Sequence, residues 1–306
     1  MERIVRISAA QLPTVIEGAT FREKQRRNLQ SIRDALTVAG RRKSDLVVFG
    51  EYANLHHRTW SSDVTEYVAD PIPGDFTKSV ASLARKYRMN VVVPIFGTMR
   101  DVLSSWAVVI NRQGKIIGAY QKSHPTLPEQ KLGIRPGNDF PVIKLDVAKI
   151  GMMTCMDIEY PEVATILMLR GAELLLFPHV QATWGEIDWE VRYRARAIDT
   201  GLPIVSACYG YPEGEWKPGK MIGRSSVVGR DGLILADMGR SIGVLTYDLD
   251  LNEHRMTEFY FNELLDRTLA VIASRRPEIY RDLLSLRLKK AALKQILGKK
   301  RSSAKL

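Results

Sequence analysis

Two cysteines in 306 residues are too few for a disulfide framework, and their scarcity fits a chain that keeps free thiols. Histidine is scarce as well, at five residues. His56-His57, His124 and His179 are scattered, with no ligand spacing of the His-Glu-x-x-His kind, so no metal or organic cofactor is expected. No apolar run reaches the roughly 18 residues of a membrane span. The N-terminal stretch "MERIVRISAAQLP" carries charges inside its apolar pattern and lacks a long apolar centre. It reads as a first strand rather than a secretory leader. These features together set the expectation of a cytoplasmic protein.

Acidic residues are few near the C-terminus. Nine Lys or Arg and one acid lie between Arg281 and Leu306, so +8 of the net charge of +11 sits in the last 26 residues. The rest is nearly neutral, and the basic balance does not by itself describe a nucleic-acid protein. This divides the chain into a body over residues 1–275 and a basic amphipathic helix and tail over residues 276–306. Leucines recur near helical spacing up to Leu297, and "KKRSSAKL" beyond Gly298 reads as disordered. The tail is expected to pack on the body or across a dimer, with contact to nucleic acid or an anionic membrane as the alternative.

Within the body, hydrophobic runs alternate with helical patterns. "VRISAAQL", "DLVVFGE", "VVVPIFGTM", "AELLLFP", "PIVSACYG" and "GVLTYDLD" read as strands. Residues 20–40 read as a helix with Gly40 as its C-cap, and residues 185–200 as a long helix. "SSWAVVINRQGKIIGAYQK" and "FPVIKLDVAKIGMMTC" read as hairpins. The mixture implies an α/β fold with mixed sheets covered by helices.

Three of these runs end in a reactive side chain. "DLVVFGE" ends at Glu51, "GAYQK" at Lys122 and "IGMMTC" at Cys155. Strand ends on one sheet edge converge readily in one pocket. A carboxylate, an ammonium and a thiol supply a base, an oxyanion stabiliser and a nucleophile. Cys155 stands at a corner from strand to helix, where backbone N–H groups favour a thiolate. Cys208, inside "PIVSACYG", reads as a small core residue.

The segments "VVFGEY", "GAYQKSHPTLPEQ", "CMDIEYPEVATILMLRGAELLLFP", "RARAIDTGLPIVSA" and "IGRSSVVGRDGLILAD" resemble, in order, the nitrilase or carbon–nitrogen hydrolase superfamily. The resemblance runs from about Ile4 to Leu251. It implies a four-layer αββα sandwich and hydrolysis of an amide, carbamoyl group or nitrile through a cysteine thioester. It implies Glu51, Lys122 and Cys155 as the catalytic triad and Glu129 as a second glutamate that orients Lys122. The N–H of Met156 is implied as an oxyanion donor. Tyr52, His124, His179 and Trp184 are the candidate pocket residues. Met156 and Asp157 follow the cysteine where true nitrilases commonly carry tryptophan and glutamate, which favours the amidase or carbamoylase side. Gly50, Thr165 and Pro125 depart from the usual pattern. The partners expected are a small amide or carbamoyl substrate and a second copy of the chain, because "EVATILMLRGA" is apolar on most of its surface. A nitrile hydrolase of the same fold, or a silent scaffold with a polyanion-binding tail, are the alternatives.

Overall fold

The computed structural model describes residues 2–13, 20–55, 69–253, 256–258, 264–284 and 290. It divides into two compact units, Met1–Thr268 and Leu269–Leu306. His56 and His57 lie outside the described residues, as does nearly all of the expected basic helix and tail beyond Leu284.

Period-two burial builds the first sheet. Strand β1 (Ile4–Pro13) runs parallel to β2 (Leu46–Phe49), and β2 runs parallel to β4 (Asn90–Met99). A short β3 (Asp70–Pro71) also pairs with β4. The hairpin from β5 (Val102–Ile110) to β6 (Ile116–Gln121) continues the sheet, turning where Gly114 takes a φ of +73°. Val5, Ile7, Ala9, Leu46, Val48 and Val92 face one core, while Ala10, Leu12, Val47, Phe49, Val91 and Val93 face another. Alternation of this kind follows from successive Cβ atoms pointing to opposite faces.

The second core holds α1 (Phe21–Arg41) and α2 (Asp75–Tyr87), which cover the outer face. Thr20 caps α1, its side chain accepting from Glu23 N at 3.2 Å. Gly40 is not the cap expected from the sequence. The helix continues through Arg41, and a Cβ at Gly40 would lie 2.2 Å from the Tyr87 ring. The glycine permits close packing of the two helices.

The second sheet begins after the short α3 (Leu127–Lys131). Strands β7 (Ile143–Lys144) and β8 (Lys149–Met152) form the expected hairpin. Helix α4 (Pro161–Leu169) leads to β9 (Leu174–Pro178), parallel to β8. Helix α5 (Glu186–Thr200) leads to β10 (Ile204–Ala207), parallel to β9. The run "PIVSACYG" is not one strand. After Ala207 it leaves the second sheet, and β11 (Tyr209–Gly210) pairs with β1 in the first. The hairpin of β12 (Ser226–Val228) and β13 (Ile234–Asp237) completes the second sheet, and β14 (Gly243–Asp250) returns antiparallel to β1.

Residues of both sheets, from Val5 to Leu251, share the central core. The layers are therefore helix, sheet, sheet and helix, with α4 and α5 burying Val163, Leu167, Trp189 and Tyr193. Beyond about residue 250 the sequence pattern reads as mostly helical. The described residues there include a two-stranded pair, β15 (Met256–Glu258) with β16 (Leu264–Asp266), before α6 (Arg267–Ala273). Among the described residues no helix is long and apolar enough to cross a membrane.

Candidate active site

The ends of β2, β6 and β8 bring Glu51, Lys122 and Cys155 together from both sheets. Glu51 lies two residues beyond β2, and its backbone oxygen accepts from the Tyr209 hydroxyl at 2.9 Å. Lys122 directly follows β6, with its backbone N–H donated to Ser105 O at 3.0 Å. Cys155 opens a 3₁₀ turn, Cys155–Glu159, behind β8.

Lys122 is 1% exposed, and its ammonium is held by two carboxylates. Nζ donates to Glu51 Oε1 at 2.7 Å and to Glu129 Oε1 and Oε2 at 2.8 and 3.0 Å. The Tyr52 hydroxyl also donates to Glu129 Oε1. Thr126 N donates to Glu129 Oε2 at 2.5 Å. This last bond is half of a capping box, Thr126-Leu127-Pro128-Glu129, at the start of α3. That Thr-x-x-Glu spacing is a sequence signal for where the Glu129 side chain must point, and it went unused beside the resemblance.

Cys155 has a φ of +49° and Tyr52 a φ of +59°. Side chains other than glycine seldom adopt this left-handed region, and such strain clusters at working sites. Asp157 fixes the corner. Its Oδ2 accepts from Thr154 N at 2.8 Å and from the Tyr120 hydroxyl at 2.7 Å. Its Oδ1 accepts from His124 N at 3.0 Å and from Ser123 Oγ at 2.9 Å. A fully buried carboxylate thus ties the cysteine turn to the segment carrying Lys122. Sequence reasoning saw the Cys-x-Asp spacing and assigned no task to the aspartate.

The electrostatics split the two glutamates. Burial raises Glu51; Lys122 lowers it and Glu129 raises it again, leaving it at about 7. Burial also pushes Glu129 up, but Lys122 and the hydrogen bonds from Lys122, Tyr52 and Thr126 outweigh this and hold it below the usual range. Burial disfavours the Lys122 cation, yet Glu51, Cys155 and Glu129 overcome that and raise it, so it stays charged. Cys155 differs from the sequence expectation of a thiolate-favouring corner. Burial and the nearby Glu51 push its thiol well above the ordinary value, against the lowering by Lys122 and the Val180 backbone N–H. The resting sulfur is a neutral thiol beside an ionisable carboxylate. Glu51 Oε2 is buried without a hydrogen-bond partner, and the nearby Cys155 thiol acts to lower the pKa of this carboxylate.

The other candidates separate. Tyr52 is buried against the cluster, its ring 5.9 Å from Lys122 Nζ. Met156 follows Cys155 in the first part of the 3₁₀ turn, where N–H groups lack intrahelical partners. His124 is half-buried, stacked on Tyr160 at 3.9 Å and bonded through Nδ1 to Asp157 Oδ1 at 2.9 Å. His179 is fully buried, with a pKa lowered by burial to about 3. Trp184 is 84% exposed, outside the buried cluster. Cys208 is buried, and burial pushes its thiol up to about 12. Among the described residues no group of three or more His, Cys, Asp or Glu side chains is arranged to hold a metal ion.

A cysteine-bearing turn beside a buried carboxylate, ammonium and carboxylate, on a four-layer sandwich, is suited to hydrolytic chemistry. Residues 6–258 match the model of the carbon–nitrogen hydrolase family, and the chain belongs to that family. It is 29% identical over 223 residues, 69% of this chain and 75% of the other, to a probable nitrilase of Schizosaccharomyces pombe. It is 25% identical over 296 residues, 90% of this chain and 86% of the other, to the deaminated glutathione amidase of Bos taurus. A carbon–nitrogen hydrolase structure from Helicobacter pylori G27 superposes with a TM-score of 0.74 at 26% identity, covering 92% of this chain and 99% of that one. An amidase from Nesterenkonia shares the fold, with a TM-score of 0.72 at 23% identity, covering 91% and 96%. The chain is accordingly a hydrolase of carbon–nitrogen bonds that fits the amidase type.

Proposed function

We propose that Cys155, Glu51 and Lys122 act as nucleophile, proton carrier and oxyanion holder in the hydrolysis of a small amide or N-carbamoyl compound. The observation that carries this reading is the ammonium of Lys122 bridging Glu51 and Glu129 beside the Cys155 thiol. A second support comes from the Nesterenkonia amidase. The glutamate and cysteine replaced in one of its variants stand as far apart along that chain as Glu51 and Cys155 do along this one. In another, the acetamide moiety of fluoroacetamide is added covalently at the active-site cysteine.

Glu51 takes the thiol proton as Cys155 Sγ attacks the carbonyl carbon, and the carbonyl π pair moves to oxygen. The oxyanion lies between the Lys122 ammonium and the Met156 N–H. Each such donor is worth on the order of 3 kcal/mol in the barrier. Glu51 returns its proton to the departing nitrogen, and the C–N bond breaks to give ammonia or an amine and an acyl-thioester. Glu51 then takes a proton from water, whose oxygen attacks the thioester. Collapse releases the acid and the thiolate, which recovers the proton from Glu51. Glu129, locked by Tyr52 and the Thr126 N–H, orients Lys122. The protein works as at least a homodimer, and Asp157 keeps the nucleophile turn in register with Lys122.

The test is ammonia release over a panel of small amides, N-carbamoyl compounds and deaminated glutathione. Cys155→Ala should lower kcat by at least about 10⁴-fold while the fold is kept. Turnover near wild type in that variant would sink the assignment. Sedimentation showing monomer alone at micromolar concentration would refute the dimer.

A further inference from the structure

His179 carries no catalytic proton, yet it is placed to act on Cys155 through one turn of backbone. Strands β8 and β9 are parallel neighbours with Met152 opposite Leu176, and Met153 N donates to Leu176 O at 3.0 Å. Continuing both strands past their ends brings Cys155 alongside the segment His179–Ala182. The Val180 N–H from that segment acts on the Cys155 thiol and favours its thiolate. The chain that follows Val180 is held on both sides of Gln181. Gln181 N donates to His179 Nδ1 at 3.2 Å, and Gln181 O accepts from Ile222 N at 2.9 Å. Ala182 forms a bridge with Met221, which continues the clamp.

The imidazole can hold this position because its own state is set. An N–H donating to Nδ1 makes Nδ1 an acceptor, so the ring proton lies on Nε2, which donates to Ser206 Oγ at 2.9 Å. The ring stacks on Phe177, with centroids 4.7 Å apart, and packs at a tilt against Trp189, at 5.3 Å. Burial alone keeps it neutral, with no charged side chain acting on it. The charged groups that act on Cys155 are Glu51, Lys122 and Glu129.

We infer that His179 is a positioning residue for the hydrolytic reaction: its Nδ1 holds the Gln181 peptide so that the Val180 N–H points at Cys155 Sγ and steadies the thiolate as it forms and leaves. The inference rests on Cys155 being the nucleophile. A fixed backbone donor needs no reorganisation when the charge appears, which is why its direction matters more than its presence.

Two amide substitutions separate the halves of the ring. Asn at position 179 can keep an acceptor where Nδ1 lies, and Gln can keep a donor where Nε2 lies. The experiment measures the rate of iodoacetamide alkylation at Cys155 against pH, with the labelled residue located by mass spectrometry. It also measures kcat and KM on the best amide and the thermal midpoint of each variant. His179→Asn should alkylate within about threefold of wild type. His179→Gln should alkylate about tenfold or more slowly at pH 7, as expected for loss of a hydrogen bond to a charged group, with its pH midpoint moved upward. In that variant kcat should fall while KM stays. Equal rates and midpoints in all three proteins would overturn the inference. So would an equal loss in His179→Asn and His179→Gln, which would mark the ring as packing. Full hydrolysis by Cys155→Ala would instead remove the nucleophile assignment, and this inference with it.

Discussion

Two ionic clusters in this molecule differ in charge balance and in surroundings. Glu51, Lys122 and Glu129 set two carboxylates against one ammonium, with side chains 0–6% exposed. Glu186, Glu190 and Asp237 set three carboxylates against the guanidiniums of Arg194, Arg224 and Arg240, with side chains 20–41% exposed. The first has one negative charge in excess and the second is balanced. At the half-buried cluster, the hydrogen bond from Arg224 leads the effects that hold Glu190 below the usual carboxylate range. In the buried cluster the excess charge has no water to solvate it. Glu129 takes two bonds from the ammonium, one from Tyr52 and one from a backbone N–H, and Glu51 is left with the proton affinity of a base near neutrality. An unbalanced buried triad thus makes a titrating group, whereas a balanced set within reach of water makes a brace.

The largest break comes from removing the buried cation. Lys122→Met leaves Glu51 and Glu129 facing each other without water. Breaking a buried ionic set in this way costs about 3–5 kcal/mol of stability, and loss of the oxyanion donor should lower kcat by at least about 10²-fold. Because Lys122 lowers the Glu51 pKa, its removal raises that pKa further. The stability deficit should therefore be larger at pH 8 than at pH 5, where Glu51 binds a proton. Urea unfolding at both values checks this, and an equal deficit would contradict it.

Glu51→Gln sharpens the comparison from the other side. Its carboxyl is raised to about 7 in the folded chain, from an ordinary value near 4.5. A raised group contributes stability below its unfolded pKa and loses it as pH rises through the folded one. Wild type should lose that contribution between about pH 4.5 and 7, while the glutamine variant has none to lose. The variant should gain on wild type by about 1–3 kcal/mol between pH 5 and pH 8, although kcat falls by about 10³-fold or more, since the proton carrier is gone. In wild type, kcat/KM should rise with pH through an ascending limb near 7, because ionised Glu51 must accept the thiol proton. A flat profile from pH 5.5 to 8 would remove Glu51 as the base.

The buried cluster was visible in the sequence at its anchors and invisible in its wiring. Glu51, Lys122 and Cys155 each end an apolar strand, and strand ends are legible from periodicity alone. The strands' convergence from two different sheets was not. "PIVSACYG" reads as one strand, yet Cys208 marks the point where the backbone crosses from the second sheet to the first. Gly40 reads as a helix end because glycine often is one, while its real constraint, the Tyr87 ring, lies 47 positions further on. Asp157 is likewise recognisable as a residue and not as a tie, since its partners Tyr120 and Ser123 come from another strand's end. The brace around Arg224 left no mark, because scattered Glu and Arg residues are also what an ordinary solvated surface looks like.

That brace yields the smallest effect. Arg224 donates to Glu190 at 2.6 Å, Asp237 at 2.8 Å and Glu186 at 3.2 Å, and its guanidinium lies 5.6 Å over the Trp189 ring. Arg224→Met strips three carboxylates of one cation, as Lys122→Met strips two. Here, however, water reaches every member, and Arg240 still binds Glu186 at 2.8 Å. Partial exposure discounts each pair to roughly 1 kcal/mol or less, and the lost stacking adds about as much again. The variant should therefore be destabilised by about 1–2 kcal/mol, with kcat within about threefold of wild type and the pH 7 limb unmoved. Added salt should shrink the deficit, since exposed pairs are screened over about 10 Å, whereas the Lys122→Met deficit should persist in salt. A salt-insensitive loss of 3 kcal/mol or more at Arg224 would show that the two clusters are alike after all, and that burial is not what sets Glu51 apart.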